Sequence, residues 1–140
     1  MDNSMAGLNS EIPACLAEWI ERNMPEIGGL KGVRVRCCDR LPFQWLPGFM
    51  PDVRGITLWN TIYLKERWCP ILAEDPDLVG LLVHELVHVG QFRRAPLLFP
   101  LRYLWDLARV GYWKIPAEQE ARERETEFLR QYLHDQPCGH

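Results

Sequence analysis

Two histidines four residues apart, with a glutamate beside the first, stand in His84-Glu85-Leu86-Val87-His88; no other stretch of the chain suits chemistry so plainly. On an α-helix the two imidazoles lie one above the other on a single face, next to Glu85. That arrangement suits one Zn2+ bound by His84 and His88, with Glu85 as a carboxylate beside the metal rather than on it. Zinc held by two histidines needs a third protein ligand and, at a catalytic site, keeps a fourth position for water.

The surrounding residues strengthen this reading. Asp75-Pro76-Asp77 supplies a cap, a proline at the first helical position and an acid in the first turn, so a helix starts at about residue 76 and runs to Phe92. Leu78, Val79, Leu81, Leu82, Val83, Leu86, Val87 and Val89 cover nearly all its faces, which places it in the middle of the domain. Two histidines and a glutamate buried there each cost free energy unless paired or coordinated. A bound cation removes that cost. The competing arrangement is a core in which the histidines are merely hydrogen-bonded and Glu85 pairs with an arginine.

The third ligand is sought on the last helix, which Pro116 opens and which runs to about His134. At about 100° per residue, Ala117, Ala121, Phe128, Leu129, Tyr132 and Leu133 share one face. Glu118 and Glu125 fall inside that face, whereas Glu120, Glu123 and Glu127 point to solvent. Glu118, in the first turn, also benefits from the helix dipole and is assigned as third ligand. Glu125, two turns on, is then a partner of the ligand set, an acceptor for Arg122 or another arginine, or simply a charge at the surface edge. Tyr103 and Tyr112 lie between the two motifs; either could donate to an oxyanion, although packing is the expected role of both. Cys138 and His140 read as a frayed tail, and neither His134 nor His140 is needed at the site.

The elements that must position these residues follow from pattern. Ile12, Cys15, Leu16, Trp19 and Ile20 recur at helical spacing over residues 11–24, with Ser10 as cap. Residues 31–38 alternate as a half-buried strand, and 41–52 form an ordered aromatic loop. Residues 55–65 form two short antiparallel strands with a turn at Asn60-Thr61. A third helix spans about 97–110, closed by Gly111, with Arg102, Asp106 and Arg109 along one side. Core packing is the simplest use of this aromatic stretch. Leu97–Trp113 is also a candidate cover for the cleft, membrane contact, partner surface or dimer interface.

Length and charge narrow the classes. At 140 residues the chain is expected to be a single domain, 1–140. A formal charge of -3 with scattered basic residues argues against nucleic acid as a partner. No apolar stretch reaches the roughly 18–20 residues of a membrane span, and the first residues lack a signal-peptide pattern. Five cysteines are an odd set, and adjacent Cys37 and Cys38 cannot face the same side of a strand. No disulfide framework is therefore expected, which favours a cytoplasmic location.

The motif on a buried helix, followed about thirty residues later by Pro-Ala-Glu-Gln-Glu-Ala at 116–121, resembles the gluzincin division of zinc metallopeptidases. With the hairpin Gly-Ile-Thr-Leu-Trp-Asn-Thr-Ile-Tyr-Leu, residues 54–130 look like small bacterial zincin-like domains of unknown function, some of which accompany contractile injection systems. The resemblance implies an α+β, minimal zincin-like fold: a small, mostly antiparallel sheet packed on the buried HExxH helix, with a downstream helix carrying the glutamate ligand. It also implies a peptide or protein substrate bound along an edge strand between Ile56 and Leu64. In such families an aspartate four residues after the glutamate ligand often steers a metal-bound histidine; here that position is Arg122. The expected function is zinc-dependent peptide hydrolysis with Glu85 as general base; the alternative is an inactive, zinc-stabilised interaction module.

Overall fold

The apolar run after Asp75 does form a helix buried on every side. The structure, a computed structural model, describes residues 12–42, 54–72 and 74–139. The Asp75 side chain accepts from the Asp77 amide at 2.9 Å, Pro76 takes the first helical position, and the helix α2 extends over Pro76–Arg94. Every residue from Leu78 to Phe92 is buried. Gly90 lets another segment approach closely: a Cβ there would lie 3.3 Å from the Cα of Ile27. At its C-terminal end, Arg93 donates to the carbonyls of Ile27, Gly29 and Lys31, satisfying a loop that has no sheet partner of its own.

Among the described residues three further α-helices stand with α2, α1 (Ala14–Asn23), α3 (Leu98–Val110) and α4 (Pro116–Asp135), together with three strands, β1 (Arg34–Cys38), β2 (Gly55–Leu58) and β3 (Thr61–Lys65). Pro13 sets the start of α1 two to three residues later than periodicity suggests, because its ring fixes φ and it stands as the N-cap. Ser10, the proposed cap, and most of the aromatic loop at 41–52 lie outside the described residues. Trp19 packs edge-on against Phe128 and Tyr132, with centroids 4.2 and 5.4 Å away, joining α1 to α4.

The sheet is mixed rather than mostly antiparallel. Its order is β1-β3-β2, with β1 parallel to β3 and β2 antiparallel to β3. Only the hairpin forces an antiparallel pair; the long connection from Cys38 to Gly55 carries the chain across to the far edge, leaving β1 to pair in parallel. The hairpin turn falls at Trp59-Asn60, one residue before the expected place. Trp59 adopts φ 56°, held by its indole N–H bond to the Pro96 carbonyl at 2.9 Å and by Phe92.

Two disulfides correct the reading of the cysteines: Cys15 joins Cys138, and Cys37 joins Cys69, while Cys38 is free. The neighbours Cys37 and Cys38 do point apart, but each needs only its own surroundings, and Cys37 finds Cys69 in the turn after β3. Cys138 is accordingly tied down rather than frayed. The argument for a reducing compartment falls with it. No helix among the described residues is long and apolar enough to cross a membrane.

Candidate metal centre

His84 and His88 project from one face of α2 towards the first turn of α4, where Pro116 starts the helix and brings Glu118 inward two residues later. All three residues are buried, with 8%, 6% and 3% relative exposure. His84 Nε2 lies 2.8 Å from Glu118 Oε1, and His88 Nε2 lies 3.2 Å from Glu118 Oε2. One ligand atom from each of the three falls within 4.8 Å of the others. Ligands of a tetrahedral zinc stand about 3.4 Å apart at ordinary bond lengths, so only small adjustments separate this cluster from a coordination shell.

The far side of each imidazole is equally specified. His84 Nδ1 is 2.9 Å from Glu125 Oε1, and His88 Nδ1 is 2.7 Å from Gln91 Oε1. The Gln91 amide nitrogen donates to the Ala117 carbonyl and to Glu120 Oε1, which fixes the amide with its oxygen towards His88. Both Nδ1 atoms therefore carry hydrogen and both Nε2 atoms face Glu118, the tautomer that metal-ligating histidines need. Tyr103 from α3 donates to Glu118 Oε2 at 2.6 Å, and Tyr112 to Oε1 at 3.3 Å. Glu85, at 5% exposure, accepts from the Thr57 hydroxyl on β2 at 2.7 Å.

Electrostatics across the cluster favour positive charge at its centre. Burial opposes an imidazolium at His84, but hydrogen bonds to Glu118 and Glu125, with the charge of Glu85, outweigh it and raise the pKa to about 10. His88 is raised for the same reasons, burial opposing and Glu118 prevailing, with His84 working against it. Burial would raise Glu118, yet its bonds to both histidines and Tyr103 hold it well below the usual carboxylate range. Tyr103 and Tyr112 are raised, first by burial and then by the Glu118 charge, and stay neutral donors. Two imidazole nitrogens and a carboxylate converging in a buried place hold either protons or a cation between them. The donor set, two nitrogens and an oxygen, is one zinc accepts.

The structure thus brings His84, His88 and Glu118 together and places Glu85 beside them, as the helical wheel required. Glu125 takes up His84 rather than Arg122. Arg122 turns away, donating to the Trp113 carbonyl at 2.6 Å and lying over the Trp113 ring, so the position often occupied by aspartate plays no part in steering a histidine. Glu120 does not simply point to solvent: half-exposed, it holds the Gln91 amide. Gln91 itself was missed, although a lone amide one turn after His88 on a wholly apolar helix was the signal that could have found it. Among the described residues no fourth ligand joins the three. No family model, curated protein or solved structure matches the chain.

Proposed function

We propose that the chain is a zinc-dependent peptidase in which His84, His88 and Glu118 hold the metal and Glu85 is the general base. The observation that carries this reading is the convergence of His84 Nε2, His88 Nε2 and the Glu118 carboxylate, with both opposite ring nitrogens already bonded. When bound, zinc supplies a Lewis acid for the scissile carbonyl and lowers the pKa of a coordinated water to about 7. Glu85 takes the proton of the attacking water and delivers it to the leaving amine. Thr57 occupies Glu85 Oε1, leaving Oε2 without a hydrogen bond among the described residues and aligned by its tethered twin. Tyr103 and Tyr112, neutral and bonded to Glu118, are the candidate donors to a developing oxyanion.

The edge strand β2 supplies the substrate track. Among the described residues it pairs only with β3, and Gly55 at its start sits so near Glu85 that a Cβ there would lie 3.5 Å from the carboxyl carbon. An extended peptide added along the outer edge of β2 passes beside the base, with main-chain hydrogen bonds giving affinity. The test compares the zinc-loaded protein with Glu85→Gln on a broad peptide library, with a chelator control. The variant keeps its zinc and its fold and loses cleavage. Full-rate cleavage by Glu85→Gln refutes the mechanism; zinc-loaded protein that cleaves nothing replaces it with the zinc-stabilised interaction module.

A further inference from the structure

The face of α3 that points away from the histidine cluster is apolar and open. Leu97, Leu98, Leu101, Leu104 and Trp105 are 57–74% exposed, at spacings that align them along one side of the helix and its entry. Trp59, 47% exposed, bonds through its indole to Pro96 just before the helix, and Trp113, 67% exposed, follows its end. Isolated exposed leucines are ordinary, but four leucines and a tryptophan on one side of a helix and its entry mark a contact surface.

The charges around the stripe indicate what it contacts. Arg102, Arg109 and Lys114 are all exposed on this helix or just after it, whereas Arg94, also exposed, turns to Glu120 on α4 at 3.7 Å. The sole acid between residues 93 and 115, Asp106, is buried at 3% and faces Arg102 and Arg109 at 3.1 and 3.4 Å. A chain with formal charge -3 therefore presents a cationic rim here. A second copy meeting this face by two-fold symmetry would set that rim against itself. A single convex helical stripe of leucine and tryptophan edged by arginine and lysine matches the interfacial plane of an anionic bilayer, apolar side chains down and basic ones at the headgroups.

We propose that α3 docks this chain on anionic lipid membranes, lying flat with Leu101 and Trp105 inserted. The opposite side of the same helix carries Tyr103, bonded to Glu118, and Phe99, stacked near His88, so docking holds the histidine cluster beside the membrane surface. The docking does not depend on the metal or on any chemistry at the cluster.

Co-sedimentation with vesicles of phosphatidylcholine alone and of phosphatidylcholine mixed with phosphatidylserine tests it. The wild-type protein partitions to the anionic vesicles, less to the neutral ones, with a blue shift of tryptophan fluorescence. Trp105→Glu or Leu101→Glu lowers partitioning at least tenfold, since each removes apolar contact and adds an anion at the surface. Arg109→Gln with Lys114→Gln lowers it roughly tenfold or more on anionic vesicles and little on neutral ones. Both positions are exposed, so near-ultraviolet dichroism stays unchanged and separates lost docking from lost fold. Wild-type protein that stays unbound overturns the proposal. If it also sediments as a dimer that Trp105→Glu dissociates, the face belongs to a second copy; if it is monomeric, to an acidic protein surface. Undiminished partitioning by folded Trp105→Glu and Leu101→Glu overturns it as well.

Discussion

Replacing Gly80 by alanine is expected to weaken zinc binding without touching a ligand. Gly80 lies one turn before His84 on α2, and a Cβ there would stand 3.1 Å from Glu125 Oε2 and 3.4 Å from its Cγ. Ordinary contacts sit nearer about 3.5 Å or beyond, so Glu125 must retreat by a few tenths of an ångström. Its side chain is 25% exposed and has solvent to retreat into. The bond it accepts from His84 Nδ1, 2.9 Å long, then lengthens towards the geometric limit of a hydrogen bond. Losing such an orienting partner lowers metal affinity about 10–100-fold; a partial retreat corresponds to roughly three- to tenfold. The fold does not suffer, because alanine gains about 1 kcal/mol over glycine inside a helix, or roughly 3 °C in a domain of this size. Competition against a chromophoric chelator reads the affinity, and thermal melts of metal-free protein read the stability. In a Glu125→Ala background the same substitution changes affinity less than about twofold, since the clash is gone. An equal loss of affinity in both backgrounds, or none in either, refutes the claim that Glu125 steers His84.

Three further outcomes follow from the cluster and its frame. The His84 pKa is raised to about 10 against 6.5 in the unfolded chain, so its imidazolium stabilises metal-free protein fully below 6.5, and that stability is lost as pH rises through about 10. Zinc must displace the same proton, so calorimetry should show apparent affinity rising about tenfold per pH unit for each proton displaced between pH 7 and 9; a flat profile there contradicts the paired imidazolium. Gln91→Leu leaves His88 Nδ1 without its acceptor and lowers zinc affinity about tenfold or more, while Glu120→Ala, acting only through Gln91, lowers it a few-fold by the same chelator assay. Cys15→Ser opens a link across 123 residues and destabilises the oxidised protein by roughly 2–5 kcal/mol in denaturant melts, whereas Cys38→Ser leaves it unchanged.

What could be read from the sequence was set by local chemistry. Asp75-Pro76-Asp77 and Pro116 start helices by capping and backbone geometry, and α2 and α4 begin where those residues stand. The helical wheel separated Glu118 and Glu125 from Glu123 and Glu127 because α4 is straight enough for 100° steps to hold over two turns. It failed for Glu120, since a wheel records direction but not reach, and a glutamate pointing sideways still meets Gln91. Pairings between distant segments were not legible. The parallel partnership of β1 with β3 and both disulfides depend on how the chain returns, which alternation and cysteine parity do not encode. The α3 stripe misled in the opposite way: an apolar periodic face states that something must cover it, and core packing was the default, yet the structure leaves it outward.

Elemental analysis of the purified protein tests the central claim most directly. Three ligand atoms converge with both imidazole tautomers fixed, so the wild-type protein should retain about one zinc per chain after dialysis against metal-free buffer. His88→Ala and Glu118→Ala should each retain almost none, while Glu123→Ala, on the outer face of α4, keeps the full complement. Wild-type protein that binds no zinc when offered it, or variants lacking His88 or Glu118 that hold zinc as tightly as the parent, would contradict the account.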